Sequence, residues 1–219
     1  MKNPFTLLVV EDRDNHLEDV KAVIAAEQPR LPIQLNVLYA RNLNEALSLF
    51  DSADGVMTDV FFPVSNGEEE VHAGQTLVGY CLTENKPVVW VTSTYHHGNK
   101  TDPINNWGRQ RGLEMFDCPS VSGDHEALHK PWRKALYGLF YSAVATEIGE
   151  CFLIEGRLMG PERKVFWSDT PQRDGFRITE FLIERFFFSP RHEREKLTEG
   201  KDDPTVKKML EMGFRRDEE

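Results

Sequence analysis

The strongest constraint on the fold is an alternation of two patterns. Short apolar runs, each closing on polar residues, alternate with stretches whose apolar residues recur at helical spacing. "TLLVV" (6–10) closes on Glu11-Asp12, "GVMT" on Asp59, and "PVVWVTS" (87–93) on Thr92-Ser93. Runs this short, bounded by turn formers, read as buried strands. "IQLNVLYA" (33–40) reads as another. Between them Leu17, Val20 and Ile24 share one helical face, as do Leu43, Ala46, Leu47 and Phe50. Asn15 with Glu18, and Asn42 with Glu45, have the spacing of a helix cap and its capping partner. A third helix is expected near 74–84, a short one within 94–126, and a long one from Trp132, where Leu136, Phe140, Val144 and Ile148 recur every fourth position. A weak fifth strand is expected to end near Lys130. Five strands alternating with five helices predict an α/β protein: a parallel sheet covered on both faces, with right-handed crossovers.

A chain of 219 residues holds one good core, or one ordinary domain with an appendage. The pattern favours the second, with a domain over 1–149 and an extension over 150–219. The hydrophobic fraction of 40% and charged fraction of 28% are those of a folded protein. The formal charge of −10 disfavours nonspecific nucleic-acid binding, which needs clustered Lys and Arg. There is no apolar run of membrane length and no signal-peptide pattern at the start, so a cytoplasmic location is expected. Cys81, Cys118 and Cys151 lie too far apart for a zinc ribbon and read as buried thiols. His96-His97 and the i, i+4 pair His125/His129 have no third ligand at sensible spacing and read as loop histidines.

Ligands of doubly wound sheets bind at the carboxyl ends of the strands, where the strand order reverses. That rule gathers Glu11, Asp12, Asp59, Thr92, Ser93 and Lys130 on one rim. Two like charges ~4 Å apart repel by about 4 kcal/mol at an effective dielectric near 20, so the carboxylates need a cation. Mg2+ suits them, as a hard ion satisfied by carboxylates, a carbonyl and waters.

On these residues the chain resembles the receiver domains of two-component response regulators. The matching features are the acidic pair Glu11-Asp12 after "LLVV", Asp59 in "DVFFPVSNG", Thr92 in "VVWVTS" and Lys130-Pro131 in "HKPW". The resemblance implies a flavodoxin-like fold with Asp59 as phosphoacceptor. It further implies Mg2+ held by Glu11, Asp12, Asp59 and the backbone carbonyl of Phe61. Thr92 and Lys130 would contact the phosphoryl group, and the Lys130–Pro131 bond would be cis. Implied partners are a histidine kinase or phosphotransfer protein, with no enzymatic activity beyond self-phosphorylation and self-dephosphorylation. The chain departs from the family where Ala127, Leu128 and His129 stand in place of an aromatic switch residue, for which Tyr95 or Trp132 could substitute. The loop after Gly67, with Glu68-Glu69-Glu70, and the 94–126 segment are enlarged. The alternative reading is a phosphorylation-independent pseudo-receiver acting as a binding module; a phosphatase using Asp59 is disfavoured by Phe61 where a second carboxylate would stand. In the extension, expected to be mostly helical, Ile178, Phe181, Leu182 and Phe186 share a face that suits either docking on the receiver or a homodimer interface. A short helix is expected at 205–213, and nothing there resembles a DNA-binding output domain.

Overall fold

The computed structural model describes residues 1–93, 101–109, 111, 113, 115–118, 129–149, 152–154, 157–159, 183–190 and 203–217. His96, His97, Tyr95, His125, Cys151, Ile178, Phe181 and Leu182 lie outside them. The strands are β1 (Phe5–Val10), β2 (Leu35–Ala40), β3 (Gly55–Thr58), β4 (Val88–Val91) and β5 (Met115–Phe116), interleaved with helices α1 (Asp14–Glu27), α2 (Leu43–Phe50), α3 (Ala73–Thr83), α4 (Asp102–Arg109) and α5 (Trp132–Glu147). The strands form one sheet in the order β2-β1-β3-β4-β5. Every neighbouring pair is parallel.

The strands read as unbroken apolar runs because both faces of the sheet are covered. Alternate side chains divide between two clusters. Leu7, Val9, Met57, Val89, Val91 and Phe116 pack with α1 and α5. Leu8, Val10, Val56, Val88, Trp90 and Met115 pack on the other face, with α2 and α3 and with Ile104 of α4.

Local chemistry sets the joints. Asn42 caps α2 as expected, accepting from the Glu45 N–H at 2.9 Å, while the Glu45 carboxylate returns not to Asn42 but to the N–H of Arg41, the residue before the cap, at 2.8 Å. The cap expected at Asn15 is not. Helix α1 starts at Asp14 with Arg13 as its N-cap residue, because the Glu11 carboxylate accepts the Arg13 N–H at 3.1 Å and directs the chain into the helix earlier. Gly67 has φ +82°, as the loop after Pro63 requires. At Gly74 the first turn of α3 lies on the end of β3: a Cβ there would sit 2.1 Å from the Asp59 carbonyl oxygen and 2.9 Å from the Val60 Cα. Gly74→Ala should therefore force helix from strand and lower stability by about 1–3 kcal/mol in urea unfolding. An unchanged midpoint would mean that this contact yields freely.

The fifth strand corrects the expectation. It is two residues long and ends at Phe116, well before Lys130. Lys130 reaches the rim from the loop that follows, whose described ends are tied where the Cys118 thiol donates to the His129 carbonyl at 3.0 Å. The expected cis bond at Lys130–Pro131 is also corrected: among the described residues the cis bond is Asn3–Pro4. Pro131, at φ −77° and ψ 52°, instead centres a tight inverse γ-turn, in which the Trp132 N–H donates to the Lys130 carbonyl at 2.8 Å. That turn reverses the chain at Lys130 and starts α5 without a cis peptide.

The extension includes a π-helical turn (Glu184–Phe188) and helix α6 (Pro204–Glu211), which matches the short helix expected there, together with an unforeseen antiparallel hairpin of β6 (Phe152–Ile154) and β7 (Arg157–Met159). Ile183, Phe186, Phe187, Val206, Met209 and Phe214 join the α1–α5 cluster. These six side chains therefore complete the chain's own core.

Candidate functional site

The strand order reverses between β1 and β3, and the crevice at their carboxyl ends holds the acidic residues. Glu11 follows β1 directly, its N–H donating to the Ala40 carbonyl at 3.0 Å. Asp59 follows β3, its N–H donating to the Val10 carbonyl at 2.9 Å. The sheet ladder thus fixes the backbone of both. Glu11 is fully buried and Asp59 nearly so, while Asp12 is partly open. One oxygen from each of Glu11, Asp12 and Asp59 lies within 4.8 Å of the others.

Lys130 is buried among them, its Nζ 2.5 Å from Glu11 Oε2 and 2.6 Å from Asp59 Oδ2. Asp59 Oδ1 accepts from the Val60 N–H at 2.6 Å. Burial alone would lower the Lys130 pKa, but Asp59 and Glu11 outweigh it and hold the ammonium above its usual range. For Glu11, burial outweighs the nearby ammonium and, with Asp59, pushes its pKa up to about 7. Asp12 is pushed up to about 6, by burial first and then by Asp59 and Glu70. One ammonium does not neutralise three carboxylates.

Thr92 and Ser93 follow β4 and are buried at the same edge, and the Thr92 N–H extends the ladder by donating to the Phe116 carbonyl at 2.9 Å. Phe61 stands two residues past Asp59 with its ring edge-on to His72 at 5.1 Å. Trp132, suggested as a stand-in aromatic, is fully buried with its ring 5.5 Å from Lys130 Nζ. The structure therefore gathers Glu11, Asp12, Asp59, Thr92, Ser93 and Lys130 at one edge, as expected from the sequence.

The donor set fits a hard divalent cation. Asp12 Oδ1 is buried with no hydrogen-bond partner, an arrangement that costs free energy unless something else satisfies the oxygen. Glu11, Asp12 and Asp59 supply an oxygen-only set of the kind such ions take.

Two neighbours escaped the sequence reading. His16 is 4% exposed, its Nδ1 lies 3.8 Å from Glu11 Oε2, and neither ring nitrogen has a hydrogen-bond partner. Burial, reinforced by Lys130, lowers its pKa and favours the neutral ring. Its position was legible, since His16 continues the four-residue spacing of Val20 and Ile24. The other neighbour is Arg13, whose Nη2 donates to Glu70 Oε1 at 3.1 Å. Glu70 belongs to the acidic run of the enlarged loop after Gly67.

A pH dependence follows from the raised carboxyls. A folded pKa of about 7 against an ordinary 4.5 for Glu11, and about 6 against 3.8 for Asp12, means that the folded state binds more protons in those windows. The stability these groups contribute is full below the ordinary values and is lost as pH rises through the folded ones. Ion-free protein should lose stability between about pH 5 and about pH 8, and added Mg2+ should raise the melting temperature more at the upper value. A Mg2+ effect independent of pH would show that these carboxyls do not hold the ion.

The strand order and this edge define a flavodoxin-like doubly wound α/β protein with an acidic site at its switch point. No protein-family model matches the sequence, and no curated protein sequence matches it. Among solved structures, the chain is similar to the non-phosphorylated receiver domain of the stress response regulator RcsB from Escherichia coli, at 13% identity and a TM-score of 0.34, over 48% of this chain and 75% of that one. The fold class rests on strand order and register rather than on that likeness. No helix among the described residues is long and apolar enough to cross a membrane.

Proposed function

We propose that the protein is a response-regulator-like signalling protein in which Asp59 accepts a phosphoryl group from a histidine kinase or phosphotransfer protein, with Mg2+ held by Glu11, Asp12 and Asp59. The observation that carries this reading is the Asp59 carboxylate, placed at the switch-point edge between a buried ammonium 2.6 Å away and an acidic set with an unsatisfied oxygen. An Asp59 oxygen attacks phosphorus as the bond to the donor's leaving group breaks. The leaving group departs with the electron pair, and an acyl phosphate remains. Lys130 neutralises charge on the transferring oxygens, and Thr92, which follows β4, donates its hydroxyl to one of them. The cation supplies further charge neutralisation of the phosphoryl oxygens. Phosphorylation adds about −1.5 to −2 charge at this edge, which biases an equilibrium between two shapes and hence protein–protein contacts.

The test is intact mass after incubation with acetyl phosphate. A Mg2+-dependent gain of one phosphoryl group in wild type, and none in Asp59→Asn, is expected. Equal modification of both forms would remove Asp59 as the acceptor. A second reading is favoured by one observation: both Asp59 oxygens are already engaged, by Lys130 and by the Val60 N–H. In that reading the cluster is a closed ion pair in a pseudo-receiver, and wild type gains no mass at any Mg2+ concentration.

A further inference from the structure

The loops that flank the acidic edge are joined across it by an ion pair. Arg13 follows Asp12 directly, and its Nη2 donates to Glu70 at 3.1 and 3.4 Å. Both ends are anchored. The Arg13 N–H is held by Glu11 Oε1 at 3.1 Å. Glu70 precedes Val71, which exchanges two backbone hydrogen bonds with Phe62, at 3.1 and 3.2 Å, and so pins the loop close behind Asp59. The field of Glu70 reaches Asp12, and the fields of Asp12 and Asp59 reach Arg13.

Lys130 is 1% exposed and its ammonium is already shared by Glu11 and Asp59. Of these two cations Arg13, at 34% exposure, is the one open to solvent. A guanidinium suits a phosphoryl group, because its fork matches two phosphoryl oxygens at once. A pair as exposed as Arg13 and Glu70, at 34% and 42%, is held weakly, so a dianion can take Arg13 from Glu70.

We propose that Arg13 is a positioning residue for the phosphoryl donor and that Glu70 holds it in reserve, so that Arg13 exchanges Glu70 for phosphoryl oxygens as the donor enters. This rests on the phosphoacceptor reading of Asp59 and concerns how that site admits its donor. The transfer itself is unchanged: the bond from phosphorus to acetate breaks as the bond to Asp59 forms, and acetate leaves with the electron pair.

The experiment is the initial rate of phosphoryl uptake from subsaturating acetyl phosphate, with saturating Mg2+, for wild type, Arg13→Gln, Arg13→Lys, Glu70→Gln and the double variant Arg13→Gln/Glu70→Gln. Glu70→Gln should raise the rate about fivefold and Arg13→Gln lower it by a similar factor, the scale of an exposed ion pair. Arg13→Lys should recover part of the loss by restoring the charge, which a purely structural role would not predict. The double variant should match Arg13→Gln, because with Mg2+ saturating the effect of Glu70 on donor entry runs through Arg13. If Glu70→Gln still accelerates the double variant, Glu70 merely repels the donor and the proposal is overturned; an unchanged rate for Arg13→Gln overturns it too. Both results leave the phosphoacceptor reading intact, whereas uptake by none of the forms removes that reading and this one with it.

Discussion

Replacing the buried ammonium, in Lys130→Met, should lower stability by about 3–5 kcal/mol in the absence of divalent ions. The methionine fills the space of the lysine stem but leaves Glu11 and Asp59 desolvated, with Oε2 and Oδ2 stripped of the partner they share at 2.5 and 2.6 Å. Part of the loss is relieved if one carboxyl takes up a proton, so the deficit should be largest at high pH. Mg2+ should recover a substantial share, since a cation among the same oxygens does what the ammonium did. Urea unfolding with and without Mg2+ measures both effects. If the deficit is the same with Mg2+ present, the cluster is a closed structural ion pair and the metal reading fails. The variant should also take up phosphoryl groups about 100-fold more slowly, the usual effect of removing one preorganised charge stabiliser.

The second large effect concerns the end of the chain. Removing residues 203–219 should cost about 6 kcal/mol, a large share of an ordinary domain's stability. Val206, Met209 and Phe214 are almost wholly buried against the α1–α5 face. Asp217 accepts from Arg133 at 2.6 and 2.9 Å and from Arg30 at 2.7 Å. Arg133 also donates to the buried Glu27 at 2.7 Å, and the Tyr137 hydroxyl donates to Glu27 at 3.1 Å. The tail therefore covers apolar surface and completes a charge network on two helices. Phe214→Ala isolates the packing part and should cost about 3–5 kcal/mol by itself. A truncated chain with wild-type denaturation behaviour would show that the segment is an independent appendage after all.

The sheet and the site were legible in the sequence for one reason. A parallel strand buried on both faces shows as an unbroken apolar run, and the residue that ends it must lie on the rim. Glu11, Asp12, Asp59 and Thr92 could be placed by that rule alone. Lys130 was placed on the correct edge by a mistaken route: a strand of two residues, Met115–Phe116, has no periodicity to read, and the lysine arrives instead through a turn at Pro131. The helix start at Asp14 was missed because the Arg13 N–H finds its acceptor in Glu11, a partner outside the usual capping positions.

The sequence by itself determined the strand and helix alternation, the two-faced burial and the convergence of acidic residues at a switch point, because each follows from local periodicity and strand-end position. The partners of the half-buried charges were decided by packing. Arg13 with Glu70 and Arg133 with Asp217 join residues 57 and 84 positions apart. Nothing in the spacing of such residues encodes their meeting. Periodicity likewise says that Phe186 must be covered, but not by what. The cover became evident only once α1 and α5 were seen to leave an apolar face that the end of the chain fills.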